Sequence, residues 1–546
     1  MKKYLTSLFI GLSIGLFLET SNAEGKLKVF IFAGQSNMVG SDSNVKAIDD
    51  FSPYVGYGKE QQNNMFYYSI GREKKFKSEG WESLKPINNV VGPEISFARK
   101  VAGTINEPVA IIKCAAGGTH LGGDWNPDKP SGFKMYPLAL TLVKNALDEL
   151  KKKNIDYEIE GFMWHQGEND MFNEDYMKNY GDNLQNFLKR WRQDLGVPNL
   201  KFYVGELCTK TIWGMDLRPR MYAISKGQRQ VTESDDFAEY VPTAHIGVEI
   251  GGGVGLHYHY GTLGQLQHGI NYANAYLSSL GKVESDSRKL NKWPYPQDGI
   301  VKLFIMAGHR NMEGERAFKD DLEKDKKLLL DNNLDVAYKY SLGGDYKVSK
   351  EWEPLGLVDY YSSFGPELSF GSFLDKKDIG DFAIAKFTHS GSQIIDWTPE
   401  GSMAESRNLY DKFIRFIKES ISEIREKGNE VKLEGIFYHI GENDMSFGPH
   451  RTNAPRWISA IVEQSRKDLR NEKLDWYLSQ QPPTDDKSVN RINVVSEIEK
   501  MVKDDNHLFH IKAFDLVPQA KKLVISTEGI VQLGEILGDF YLNNTQ

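Results

Sequence analysis

A chain that repeats itself at a fixed interval must fold each copy in the same way, and this one repeats in three places. Val29-Phe-Ile-Phe-Ala-Gly-Gln-Ser-Asn-Met38 returns as Leu303-Phe-Ile-Met-Ala-Gly-His-Arg-Asn-Met312. Gly92-Pro-Glu-Ile-Ser-Phe97 returns as Gly365-Pro-Glu-Leu-Ser-Phe370. Ile159-Glu-Gly-Phe-Met-Trp-His-Gln-Gly-Glu-Asn-Asp-Met171 returns as Leu433-Glu-Gly-Ile-Phe-Tyr-His-Ile-Gly-Glu-Asn-Asp-Met445. Ala33 thus maps to Ala307, Pro93 to Pro366 and Glu168 to Glu442, a register that chance does not hold over half a chain. The 546 residues therefore read as a tandem duplication of one domain, in keeping with a length that suggests two. The expected units are 24–283 and 300–546, with 284–299 as linker, where the stretch Glu284 to Gln297 is polar and contains proline.

Within the first copy, strand and helix signals alternate. Leu27–Ala33, Pro108–Cys114, Tyr157–Met163, Leu200–Gly205 and Thr243–Glu249 are short β-branched or aromatic runs and read as strands. Helical spacing runs from Leu138 through Leu142 and Ala146 to Leu150, over Glu174 to Leu195, and again after Gly264. The second copy repeats the order with Val301–Met306, Phe382–Phe387, Val431–Phe437, Leu474–Ser479 and Leu508–Phe514. Such alternation predicts an α/β fold: two tandem three-layer α/β/α domains, each with a parallel sheet covered by helices on both faces.

Met1 to Ala23 reads as a secretory signal peptide rather than as fold. Lys2 and Lys3 form a positive start, Leu8 to Leu18 an apolar stretch too short to span a bilayer, and Ser21-Asn22-Ala23 a small-x-small cleavage site. The expected location is therefore secreted or periplasmic. The mean hydropathy of -0.49 predicts a soluble mature protein with no membrane partner after cleavage. A net charge of -8 with no basic block argues against nucleic acid. With only Cys114 and Cys208, disulfides do not organise this exported chain, and whether the two pair is open.

The strand Leu27 to Phe32 ends in small residues and then delivers Gln35-Ser36-Asn37. A serine just past the C-terminal edge of a first parallel strand stands where open α/β sheets bind ligands, which suits an acyl-transfer nucleophile. The string Gly34-Gln-Ser-Asn-Met38 resembles the first motif block of the SGNH hydrolases, in the branch of sialate O-acetylesterase-like domains and family 6 carbohydrate esterases. Their fold is flavodoxin-like, in agreement with the alternation of elements. The resemblance implies that Ser36 is the nucleophile. Cys114-Ala-Ala-Gly-Gly-Thr-His120 looks like the second block, whose glycine N–H is an oxyanion donor; by position that is Gly118, with Gly117 beside it. Trp164-His-Gln-Gly-Glu-Asn-Asp170 resembles the Trp-x-Gln-Gly-Glu block, which makes Gln166 the side-chain oxyanion donor and leaves His165 structural. The closing motif, a histidine five residues before Gly-Gln, selects His259 as general base, with His257 as the near alternative. Imidazole is the side chain suited to that task near neutral pH.

The family's aspartate three residues before the histidine is absent, since Leu256 precedes His259 and Val254 precedes His257. A carboxylate from elsewhere, with Glu249, Glu168 and Asp170 as candidates, or a backbone carbonyl would have to orient the ring. Gln35, Asn37, Gly117 and Trp125 are expected at the substrate, Trp125 and Trp213 as exposed aromatics for sugar stacking. The implied activity is a carbohydrate O-acetylesterase on an acetylated glycan such as xylan or sialic acid, with no metal or organic cofactor. An esterase for non-carbohydrate esters and a non-catalytic glycan-binding protein are the alternatives. In the second copy Ser36 becomes Arg310, Gln166 becomes Ile440, and His259 becomes Val524 when Gly264 is matched to Gly529. Nucleophile, donor and base are lost together while the scaffold residues stay, which predicts a degenerate, inactive second domain.

Overall fold

The computed structural model describes residues 26–72, 75–207, 211–212, 215–247, 258–282, 288–445, 448–480, 492–513, 516 and 524–544. The signal-peptide segment, Cys208, Trp213, Glu249 and His257 lie outside the described residues.

Each half is built on one eight-stranded sheet, in which six strands run parallel and two short ones pair antiparallel at one edge. In the first half the parallel strands are β1 (Leu27–Gly34), β2 (Gln61–Ile70), β3 (Val109–Ala115), β4 (Tyr157–His165), β5 (Phe202–Gly205) and β6 (Ala238–Val241). Their spatial order is β2-β3-β1-β4-β5-β6, every neighbouring pair parallel. The second half repeats it with β7 (Ile300–Gly308), β8 (Asn333–Leu342), β9 (Phe382–Thr388), β10 (Glu430–His439), β11 (Trp476–Gln480) and β12 (Leu508–Lys512), in the order β8-β9-β7-β10-β11-β12. The chain turns from one side of the first strand to the other between the third and fourth strands, which opens a crevice at the C-terminal ends of β1, β3 and β4.

Alternation along β1 explains the three layers. Val29, Ile31 and Ala33 point into one apolar core beneath the helices Met135–Lys152 and Tyr180–Leu195. Phe30 and Phe32 point into the other, against the helices Glu94–Ile105 and Gly261–Ser279. Both phenylalanines are fully buried and meet Phe97 edge-on at 4.9 and 5.1 Å; burial on this scale contributes about 2 kcal/mol per ring. The repeated Gly-Pro-Glu motif has a structural reason. Glu94 opens its helix and pairs with the buried Lys113 at 2.6 Å, and Glu367 pairs with Lys386 at 2.6 Å in the second half. Cys114, on the same strand as Lys113, is buried, and that burial pushes its thiol up to about 12.

Two elements differ from the sequence expectation. The last strand of the first half is Ala238–Val241, not Thr243–Glu249; residues 243–247 form a buried loop. The expected helix over Glu174 to Leu195 is two helices, Glu174–Lys178 and Tyr180–Leu195, split at Asn179, whose side chain donates to the Asp175 carbonyl. Residues 288–297 lie on the second sheet: Arg288 bonds Glu353 at 3.0 Å, Trp293 bonds Asn429 at 2.6 Å, and the Tyr295 hydroxyl accepts the Ala337 N–H. No helix among the described residues is long and apolar enough to cross a membrane.

Candidate active site

The turn after β1 is built around one glycine. Gly34 has φ +153°, and a Cβ there would overlap the His165 carbonyl, to which the Gln35 N–H donates at 3.1 Å. That close approach locks the ends of β1 and β4 together and starts the short helix Ser36–Val39. From β3, Gly117 comes so near that a Cβ would lie 3.5 Å from Ser36 Cβ, and Gly118 follows at φ +72°. Among the described residues nothing accepts from the N–H groups of Ser36 and Gly118. Asn169 from the β4 loop faces the same spot, its Nδ2 lying 3.9 Å from a Cβ on Gly118 and donating to no described residue. Three N–H donors thus surround Ser36 without protein acceptors, the arrangement that stabilises an oxyanion.

Gln166 does not belong to that set. It is fully buried, and its amide donates beneath the floor to Thr119 O at 2.9 Å and Asp170 Oδ2 at 2.5 Å and reaches Gln35 Oε1 at 3.1 Å. Gln35, expected at the substrate, is buried as well: its Oε1 accepts the Gly167 N–H at 3.2 Å and its Nε2 donates to Asn169 Oδ1 at 3.1 Å. Asp170 accepts the N–H groups of Leu121 and Gly122 at 2.9 and 3.0 Å, tying the β3 and β4 loops together. These residues fix where Asn169 and Gly118 point.

Asn37 is likewise a clamp rather than a substrate contact. Buried, it donates from Nδ2 to Glu168 Oε1 at 2.6 Å and to the Tyr258 carbonyl at 3.0 Å, and its Oδ1 accepts the Tyr260 N–H at 3.3 Å. The residues on either side of His259 are therefore gripped by the residue next to Ser36. Gln265 adds a bond to Asn37 O at 2.9 Å, and the Asn44 N–H donates to Thr262 Oγ1 at 2.9 Å. His259 Nδ1 lies 2.6 Å from Asp42 Oδ2. Asp42, at φ +62° just past the helix Ser36–Val39, is thus the carboxylate beside the candidate base; Glu168 and Asp170, weighed from the sequence, do not have that position. Glu168 instead faces His165 Nε2 at 3.3 Å. Burial works to raise the Glu168 carboxyl, but His165 and Asn37 together hold it below the usual range. His165 is fully buried among Tyr260 and His268, as a structural residue should be.

Trp125 is not exposed: it is fully buried, donates to Thr119 Oγ1 at 2.9 Å and packs on Trp164. The rim carries Arg72 instead, exposed, 5.0 Å above the Phe133 ring and with Nη1 3.0 Å from a Cβ on Gly118.

The second half can be superposed bond by bond. Leu121 N to Asp170 Oδ2 becomes Ile394 N to Asp444 Oδ2, and Trp125 to Thr119 becomes Trp397 to Ser392, so Gly391 stands for Gly118. Tyr260 N to Asn37 Oδ1 becomes Ile525 N to Asn311 Oδ1, so Val524 stands for His259. Here three neighbouring N–H groups are taken, those of Arg310, Asn311 and Ser390, the last being the counterpart of Gly117. Glu442 accepts those of Arg310 and Asn311 at 3.2 and 2.9 Å, Glu313 accepts that of Ser390 at 3.2 Å, and Asn443 Nδ2 spans the carbonyls of Ser390 and Ser392 at 3.0 Å each. Arg310 itself is folded onto Glu315 at 2.5 Å.

The chain is similar to several known proteins. A probable carbohydrate esterase of Arabidopsis thaliana is 26% identical over 285 residues, covering 46% of this chain and 91% of its own. A solved structure of an Arabidopsis thaliana protein covers 46% of this chain and 99% of that one at 20% identity and a TM-score of 0.36. The crystal structure of NanS covers 47% and 98% at 15% identity and a TM-score of 0.37. The family model described as carbohydrate esterase, sialic acid-specific acetylesterase matches twice, over residues 26–278 and 300–543. This chain belongs to that carbohydrate esterase family, as a tandem duplication of its domain.

Proposed function

We propose that the first half is a serine esterase that removes O-acetyl groups from carbohydrate, with Ser36 as nucleophile and His259 as general base. The observation that carries it is the Asn37 clamp, which brings His259 to the nucleophile's own turn while the Ser36, Gly118 and Asn169 N–H groups meet no acceptor among the described residues. Asp42 holds Nδ1 of His259, which leaves Nε2 to take the Ser36 proton as Oγ attacks the acetyl carbonyl. The negative charge on the former carbonyl oxygen is met by the three donors. Collapse expels the sugar hydroxyl, which takes the proton back from the imidazolium. Water then attacks the acetyl-serine by the same route and releases acetate.

The exposed Arg72 beside Gly118 favours a sugar that carries a carboxylate over neutral xylan. Acetate release from matched panels of O-acetylated sialosides, uronates and xylan tests this. Preference for xylan, unchanged by Arg72→Ala, would sink the anionic reading and leave the esterase standing. The signal-peptide pattern of residues 1–23 supports export; protein found only in the cytoplasm, with Met1 still in place, would contradict it. The second half is read as catalytically silent, because Arg310, Ile440 and Val524 replace the working groups.

A further inference from the structure

The loop 243–247, misread as a strand, is buried at the place where the halves meet. Thr243, Ala244, His245 and Ile246 are all buried, although nothing on their own sheet pairs with them. What covers them is the converted site of the second half. A Cβ added to Gly391, the counterpart of the oxyanion glycine Gly118, would overlap the Ala244 carbonyl oxygen. A Cβ on Gly247 would overlap the carboxylate of Glu315, the residue that holds Arg310 in the serine's place. The His245 ring stacks on Tyr346 at 3.9 Å and 22°, and its Nε2 lies 2.9 Å from the Tyr361 hydroxyl. So a peptide carbonyl of the first half is pressed against Gly391, the counterpart of the first half's Gly118, and an imidazole fills a box of Tyr346, Tyr360 and Tyr361 beside it.

The same five residues touch the catalytic loop. The Tyr260 hydroxyl donates to Thr243 Oγ1 at 2.7 Å, and Gly264 packs 3.2 Å, measured from a Cβ, from both Gly247 O and Ile246. Asn271, on the helix that follows His259, donates to Pro242 O at 3.0 Å and accepts from the Tyr346 and Tyr361 hydroxyls of the second half. From below, Glu206 accepts the N–H groups of Thr243 and Ala244 at 3.1 and 3.0 Å, and Arg407 of the second half donates to Leu207 O alongside it.

We infer that the second half is an intramolecular brace: its former active site grips residues 243–247 and through them holds the loop that carries His259. Glycan is excluded from that socket, because the chain itself fills it. The second half then acts as a positioning element, and the first half needs it for turnover; this rests on the esterase reading above, but the docking does not.

The test uses the full chain with Gly391→Ala, whose new methyl must displace the Ala244 carbonyl, and independently His245→Ala, which empties the tyrosine box from the other side. Glu405→Ala, which removes an exposed contact to Tyr222 elsewhere between the halves, is the control. Hydrogen exchange of peptides covering 243–247 and 258–271, and turnover of 4-nitrophenyl acetate, are the two readouts. We expect exchange to rise at least tenfold in both segments and kcat to drop about tenfold or more in either variant, with neither change in the control. Unchanged exchange overturns the docking, whatever the activity. Raised exchange with turnover intact overturns the brace. A wild-type chain without Ser36-dependent turnover sinks the esterase reading, and exchange alone then decides the docking. Should Gly391→Ala fail to fold, His245→Ala carries the same two readouts.

Discussion

The two halves share a sheet, a helix order and the loop that ends in Gly-Glu-Asn-Asp, yet they use their backbone N–H groups in opposite ways. Around Ser36 these half-buried donors meet no acceptor among the described residues and stay open to a ligand's oxygen. Around Arg310 the N–H groups of Arg310 and Ser390 are satisfied from inside by Glu442 and Glu313, and the Asn443 amide donates to two carbonyls. In the proposed reading, the second half has lost more than a nucleophile: N–H groups near Arg310 are paired internally, and the surface they line serves for packing.

The strongest way to break this contrast is at the nucleophile. Ser36→Ala should cut kcat on 4-nitrophenyl acetate by about 10³-fold or more with the fold intact. Near-normal turnover would falsify the assignment and shift suspicion to the second half. His259→Ala should be almost as damaging, because members of one catalytic unit fail together. A dead His257→Ala beside an active His259→Ala would mean that the base lies outside the described residues.

Next in size is the side-chain donor. Asn169→Ala should lower kcat by about 10²-fold with little change in KM, the pattern of a contact made in the transition state. Gln166→Ala should instead lower the melting temperature, since it removes the buried partner of Thr119 and Asp170. If Gln166→Ala loses kcat at full stability, the sequence-based assignment was right and the geometric one wrong. Asp42→Asn should cost about tenfold, less than a buried triad acid, because Asp42 is 65% exposed in its side chain and water can partly replace it.

What the sequence made legible follows burial and locality. β1, β3 and the second half of β4 are largely apolar runs buried on both faces and were plain, as was the duplication. β2 was hidden because it opens on Gln61-Gln-Asn-Asn64, polar residues that the fold employs: Gln61 bonds the Ile95 carbonyl and Asn64 the Val109 N–H. The apolar stretch after Pro242 imitated a strand because it is buried by the other half, a fact no local pattern carries. Asp42 stands 217 positions from His259, so the missing triad acid could not be found by spacing. Asn169 lay inside a motif already singled out, but choosing it over Gln166 needed to be told which amide was spent.

The His–Glu pairs sharpen the comparison through pH. Against the pull of burial, His165 and Asn37 hold Glu168 below the ordinary range, whereas burial raises Glu442 to about 8 and lowers His439 to about 3, with the pair 3.7 Å apart. A carboxyl whose folded pKa is raised gives stability below its unfolded value near 4.5 and loses it as pH climbs toward 8. A histidine whose folded pKa is depressed gives stability above about 6.5 and loses it as pH falls toward 3. The two slopes oppose each other between about 4.5 and 6.5, and only the Glu442 slope remains from there to about 8. Glu442→Gln should therefore gain on the wild type by at most about 2 kcal/mol between pH 6.5 and 8 in denaturant titrations. A stability difference that stays flat over that range would place an ionised carboxylate at Glu442 and make the two halves alike.

The smallest expected effect is a restoration that does not come. Arg310→Ser, Ile440→Gln and Val524→His, introduced together in a Ser36→Ala background, return the three residue types to the second half. Turnover should still stay within about twofold of the Ser36→Ala chain. A new serine at 310 would inherit a backbone N–H already bonded to Glu442, an oxyanion glycine pressed against Ala244, and an Asn443 amide bridging two carbonyls. Catalytic groups act only when held within about 0.5 Å of productive geometry, and here the acceptor seat for the substrate oxygen is taken by the protein itself. Adding Glu442→Ala to the triple variant frees an N–H but leaves Ala244 in place, so it should not help either. Robust turnover by the triple variant would show that side-chain identity alone separated the halves, and that the internal pairing of the N–H groups is a consequence without force.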